Sequence, residues 1–145
     1  MLADARHIVP SDASTRSGKW EKSKFMGREI TGKTVGIVGF GAIGQLVGKR
    51  LSGCDVTVLD YDRFLYADRA KELGADAVDL DTIFEQCDYV SLHMPENDET
   101  RGIVNKSLLA RMKNGATLIN CARAGIINED DLRELKAGKG LRYLN

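Results

Sequence analysis

The chain has 145 residues, about the size of one domain and long enough to bury a core. Its 21 Lys and Arg offset its 21 Asp and Glu, so the formal net charge is zero; without a basic excess or cluster, a nucleic-acid partner is not expected. The apolar runs are too short to span a bilayer and no signal peptide is recognisable, so no membrane partner is expected either.

Residues 1–31 differ from the rest of the chain. "MLADARHIVPSDAS" has weak helical periodicity interrupted by Pro10, and "TRSGKW" and "SKFMGREITGK" read as loop. From Lys33 the pattern changes. "TVGIVGF" is a β-branched run, and "AIGQLVGKRL" puts Ile43, Leu46, Val47 and Leu51 at helical spacing. A second strand, "DVTVLD", precedes the helical "YADRAKELG", with Gly74 as its stop. A short strand "DAV" leads to a helix "LDTIFEQC", and a fourth strand "DYVSLHM" ends at Pro95. The helix "NKSLLARMK", the strand "ATLINCA" and the helix "NEDDLRELKAG", N-capped by Asn128, complete the pattern before a sixth strand, "LRYLN". Strands alternate with helices, and the strands are apolar on both faces. The expected class is α/β: a doubly wound parallel sheet of the Rossmann kind, in three α/β/α layers.

Gly39, Gly41 and Gly44 form a G-x-G-x-x-G pattern where the first strand meets its helix. Gly39 suits a tight turn, Gly41 lets a diphosphate approach the backbone, and Gly44 allows the helix to pack close to the strand. Helix N–H groups and the dipole would hold the phosphates. Asp60 ends the second strand 21 positions after Gly39, near the offset expected for an acid that grips the adenosine ribose. A carboxylate there accepts from the 2′-hydroxyl and repels a 2′-phosphate, which favours NAD over NADP; Arg63 blurs that choice. Two alternatives stand beside this reading: Asp60 as a simple loop cap, and S-adenosylmethionine as the ligand of a similar sheet.

The fifth strand ends in "NCARAGIINEDDL". Ligands of doubly wound sheets sit at strand carboxyl ends, so Cys121 to Gly125 should face the nicotinamide side. Arg123 is a charged planar fork suited to a carboxylate; a surface ion pair is the alternative. Cys54, Cys87 and Cys121 are odd in number and widely spaced, which fits neither a disulfide framework nor zinc, and a reducing cytoplasm is the expected compartment. His7 and His93 lie far apart, and no metal site is expected.

The segments "GKWEKSKFMGREITGKTVGIVGFGAIG" and "SLHMPENDETRGIVNKSLLARMKNGATLINCARAGIINEDDL" resemble the D-isomer-specific 2-hydroxyacid dehydrogenases. "SLHxP", "TRG", "MKxGA" and "INxAR" occur in that family's order, and "KWExSKFMGxE" leans toward its members that oxidise phosphoglycerate. The resemblance implies NAD as cofactor, with hydride exchange at C2 of a D-2-hydroxy acid. It makes Arg123 the residue that binds the substrate carboxylate and carbonyl. Cys121 and Ala122 would lie along the nicotinamide ribose, Ala42 and Ile43 against the diphosphate, and Met94 and Pro95 on the adenosine side. His93 would be structural, and Arg101 a solvated or capping residue. Residues 1–31 would form an interdomain or homodimer-interface helix and loop, with ordinary packing within one chain as the alternative for Trp20 and Phe25, and 32–145 the NAD-binding domain. The substrate domain and the family's catalytic His and Glu would lie outside this chain, which alone should turn over nothing. Glyoxylate or hydroxypyruvate reduction, and an NAD(H)-sensing corepressor-like module, are alternative readings.

The chain also departs from the family. Ala124 stands where a glycine is usual, which would strain the loop if that position needed positive φ. Glu96, Asn97 and Asp98 replace an apolar residue, a Thr and a Pro, and two acids at the adenosine end should weaken cofactor binding.

Overall fold

Apolar residues that recur on both faces of short runs require cover above and below, and a parallel sheet between helices provides it. The computed structural model describes residues 1–64 and 67–145. These divide into two units, Met1–Thr31 and Gly32–Asn145.

The first unit holds helices α1 (Leu2–Ala5) and α2 (Ile8–Arg16) and a 3₁₀ turn at Lys22–Phe25. Pro10 does not interrupt the helix. It is the third residue of α2, in the first turn, where a missing N–H leaves no bond unmade; the break falls at His7, whose φ is 52°. Ser14 Oγ donates to Glu21 Oε2 at 2.7 Å and Arg28 N–H to Ala5 O at 2.9 Å, which ties the loop back onto the helices. Trp20, Val9 and Met26 are exposed.

The second unit contains six parallel strands: β1 (Thr34–Val38), β2 (Thr57–Tyr61), β3 (Asp76–Ala77), β4 (Tyr89–Leu92), β5 (Thr117–Asn120) and β6 (Arg142–Leu144). Their order is β3-β2-β1-β4-β5-β6. The connecting helices are α3 (Ala42–Leu51), α4 (Ala67–Glu72), α5 (Leu80–Gln86), α6 (Lys106–Arg111) and α7 (Glu129–Lys139). Tyr66, expected at the start of the fourth of these seven helices, lies outside the described residues. Gly74, with φ 76°, follows α4 as the expected stop. The doubly wound α/β class read from the chain is the one observed.

Strand alternation separates two apolar layers. Val38, Leu59, Val90, Leu92 and Leu118 pack with Ile83 and Phe84 of α5, Leu108 and Leu109 of α6 and Leu132 of α7. On the opposite face Ile37, Val58 and Phe40 meet Val47 and Leu51. Burial also decides the chemistry of Cys87, whose thiol is pushed up to about 12, so it stays protonated and packs as an apolar side chain.

Side-chain caps set the starts of three helices. Asp79 accepts from Thr82 N–H at 2.7 Å, Asn105 from Ser107 N–H at 3.0 Å, and Asn128 from Asp131 N–H at 3.2 Å. Asp131 in turn accepts from Lys106 N–H at 2.8 Å, so the start of α7 braces the start of α6. No helix among the described residues is long and apolar enough to cross a membrane.

Leu118 is fully buried in β5 at the centre of the larger layer. Leu118→Ala is expected to cost about 2–5 kcal/mol in urea unfolding, and a loss under about 1 kcal/mol would show that this layer is not closely packed.

Candidate functional site: the cleft at the ends of the central strands

β1 and β4 are neighbours whose connections leave in opposite directions, so a crevice opens beyond their carboxyl ends. The turn after β1 is built from missing side chains. Gly39 has φ 96°, its N–H donates to Tyr61 O at 2.8 Å, and a Cβ there would come within 2.6 Å of Met94 N. A Cβ on Gly44 would lie 2.3 Å from Gly39 O, so α3 can begin against the strand end only with glycine at this position. Gly41 is different: among the described residues a Cβ there would meet nothing within 4 Å, and the backbone faces open space.

Gly41 is also the N-cap of α3 and offers no side-chain cap bond, whereas α5, α6 and α7 are all capped by Asp or Asn. The first N–H groups of α3 are therefore left for an outside acceptor, with the positive end of the helix dipole behind them. Ala42 and Ile43, the first two helical residues, are exposed there.

Two cavities share the wall formed by His93, Met94 and Pro95. One extends over Gly39 and Gly41 to Asp62, Arg63 and Glu99. The other runs past Ile43 to Glu96, Cys121, Ala122 and Arg123. The fold thus brings Gly39, Gly41, Ile43, Met94, Pro95, Cys121, Ala122 and Arg123 to one cleft.

Asp60 lines neither of these cavities. It pairs in register with Ile37, so its side chain lies on the sheet face shared by Val58, and it is 1% exposed. Neither carboxylate oxygen has a hydrogen-bond partner among the described residues. Burial, with Asp62 and Asp76 nearby, pushes its carboxyl up to about 6. Asp62, two residues on and just past the strand, lines the cleft instead. The sequence pattern does not single out Asp62, because β2 runs one residue beyond Asp60, to Tyr61.

Arg123 is positioned by a residue that the sequence did not single out. Buried Asn120, the last residue of β5, accepts from Ala122 N–H at 3.0 Å and donates to Arg123 O at 3.1 Å, which folds the chain tightly after the strand. The guanidinium is exposed and donates to Ala122 O at 3.0 Å. Ala124 is not among the residues with positive φ, so the anticipated loop strain does not arise; it opens a 3₁₀ turn, Ala124–Ile126. His93 Nε2 lies 2.9 Å from Ser91 Oγ, and burial lowers its pKa, which keeps the ring neutral near pH 7.

Of the two acids after Pro95 expected to weaken cofactor binding, Glu96 has a partner in the structure. Glu96 pairs with Arg101 at 3.2 Å, and Arg101 stays mostly solvated, as expected, while it also carries this ion pair. Glu96 borders the Arg123 side of the cleft, not the Asp62 side. Asn97 Oδ1 accepts from Glu99 and Thr100 N–H, each at 3.0 Å, and Thr100 Oγ1 donates to Pro95 O at 2.7 Å, which closes a compact turn.

The family model of the D-isomer specific 2-hydroxyacid dehydrogenase, NAD binding domain, matches residues 1–143. The chain belongs to this family. It is 44% identical over 140 residues to the D-3-phosphoglycerate dehydrogenase of Archaeoglobus fulgidus, a match that covers 96% of this chain and 27% of the relative. It is equally identical, over 140 residues, to the hydroxypyruvate reductase of Thermotoga maritima, covering 96% and 45%. The NAD-dependent formate dehydrogenase from Staphylococcus aureus in complex with NAD resembles it with a TM-score of 0.88 and 33% identity, over 98% of this chain and 43% of that one. The chain spans less than half the length of each. The cofactor of this NAD-binding domain is NAD, and the uncapped start of α3 beside an open glycine backbone fits its diphosphate.

The Asp60 carboxyl makes stability depend on pH. Its folded pKa, about 6, lies above the unfolded value near 3.8, so its contribution is whole below about pH 3.8 and is lost as pH rises through about 6. Melting curves of Asp60→Asn and the parent chain should therefore diverge in favour of the variant between about pH 4 and about pH 7, by on the order of 2–3 kcal/mol. Parallel profiles would show that Asp60 is not a buried, unpaired acid.

Proposed function

We propose that this chain is the cofactor-binding part of an NAD-dependent oxidoreductase that interconverts a D-2-hydroxy acid and the matching 2-keto acid. One observation carries the reading: a single cleft, with the uncapped start of α3 at its wall, has Asp62 at one end and Arg123 at the other. In this assignment the turn from Gly39 to Gly44, with Ala42 and Ile43, receives the diphosphate. Asp62, not Asp60, accepts from the adenosine ribose hydroxyls. Met94 and Pro95 form the shared wall, and Cys121 and Ala122 lie along the nicotinamide ribose.

NAD, when bound, supplies the acceptor or donor of hydride. Arg123 orients the substrate: among the described residues its side chain donates only to Ala122 O, which leaves the rest of the fork for a carboxylate. As a carbonyl is reduced, negative charge grows on its oxygen, and the fixed guanidinium charge stabilises that oxygen more than the uncharged starting state. His93, neutral and held by Ser91, packs the wall and does not move the proton.

D-3-phosphoglycerate is the favoured substrate, supported by the "KWExSKFMGxE" segment and the Archaeoglobus relative. Hydroxypyruvate or glyoxylate is the second reading, supported by the equally identical Thermotoga reductase. The exposed Trp20 and its neighbours on the first unit form a homodimer contact in this proposal, and the cytoplasm is its compartment.

Titration of NADH fluorescence should show binding to this chain, while calorimetry with S-adenosylmethionine should give no heat. Asp62→Ala should weaken NADH by roughly 10- to 100-fold, the worth of hydrogen bonds to a charged group; unchanged affinity would remove Asp62 from the site. In the intact enzyme, Arg123→Ala should lower kcat/KM by about 10²–10³, whereas NADH affinity moves by less than about threefold. An equal loss in both would mean that Arg123 serves the cofactor and not the substrate.

A further inference from the structure

At the Asp62 end of the cleft, Arg63 follows the ribose acid directly, where a free guanidinium would welcome a 2′-phosphate. It is not free. Arg63 Nη1 donates to Glu99 Oε2, and its guanidinium carbon lies 5.9 Å from the centroid of the Phe64 ring. Arg63 leaves the end of β2 and Glu99 belongs to the turn after β4, so the pair joins the two lips of the cavity that both residues line.

We propose that Glu99 is a cofactor-specificity residue: by engaging Arg63 it withholds the guanidinium from the ribose 2′-position, so that the cleft selects NAD over NADP. This rests on the assignment of the Asp62 end as the adenosine site. The charge balance supports it. Asp62, Arg63 and Glu99 sum to one negative charge, and a phosphomonoester brings nearly two more. Arg63 is the one Lys or Arg among the described residues that line this cavity.

Glu99 can be neutralised without dismantling its turn. Its carboxylate is exposed, and the turn is held by Asn97 Oδ1 accepting from the Glu99 and Thr100 backbone N–H groups, not by the Glu99 side chain. Glu99→Gln releases Arg63 and removes one repelling charge.

The test is fluorescence titration of the chain with NADH and NADPH, for the parent, Glu99→Gln, and Glu99→Gln with Arg63→Ala. The affinity ratio of NADPH to NADH should rise about tenfold in Glu99→Gln and return toward the parent ratio in the double variant. A ratio unmoved by Glu99→Gln overturns the proposal. A rise that persists without Arg63 also overturns it, because relief of repulsion alone would then explain the change. If the parent binds neither nucleotide, the assignment of the cleft fails first and takes the specificity role with it.

Discussion

The helix whose first N–H groups are left uncapped at the crevice can start where it does only because two backbones touch. Gly44 brings α3 so close to the end of β1 that a β-carbon would sit 2.3 Å from Gly39 O. A methyl group at that point would lift the first turn of the helix off the sheet and turn its dipole away from the crevice. Other contacts depend on the same approach. Gly39 N–H reaches Tyr61 O, and His93 N–H reaches Val38 O at 2.8 Å, so the ends of β1, β2 and β4 are drawn into one edge. Side chains on three segments far apart in the chain then face a common space.

Around that edge, short polar side chains fold the loops and long charged ones pair at the rim. Asn97, Thr100 and Asn120 each satisfy backbone groups that the strand ends leave open, and Asn120 does so while nearly inaccessible. Arg101 offsets Glu96, one of the two acids that the sequence alone made look like a burden on an anionic ligand, and Arg63 offsets Glu99 farther along the same turn. Exposed pairs of this kind add little to stability. Their influence falls on which charges the cleft presents.

Much of the fold was legible because it is written locally. The β-branched runs, the glycine spacing, the Asn128 cap and the Gly74 stop each act within a few residues, and each acts where it was expected. Which acid reaches the lip of the cleft was not, because that depends on where a strand stops. One further residue in β2 turns Asp60 inward and leaves Asp62 at the lip, and no local pattern distinguishes the two. Pro10 misled for a related reason: it ends helices from their interior, but its place in the first turn followed from a break at His7 that composition does not mark. The Arg123 turn depends on Asn120, whose two bonds form only once β5 has ended beneath it.

His93, Met94 and Pro95 belong to both halves of the cleft. A change in the bulk of Met94 would be felt at once in both compartments. The two compartments are therefore difficult to reshape separately through this partition, and a substitution that is to alter one alone must fall at the far ends, where a residue borders a single compartment.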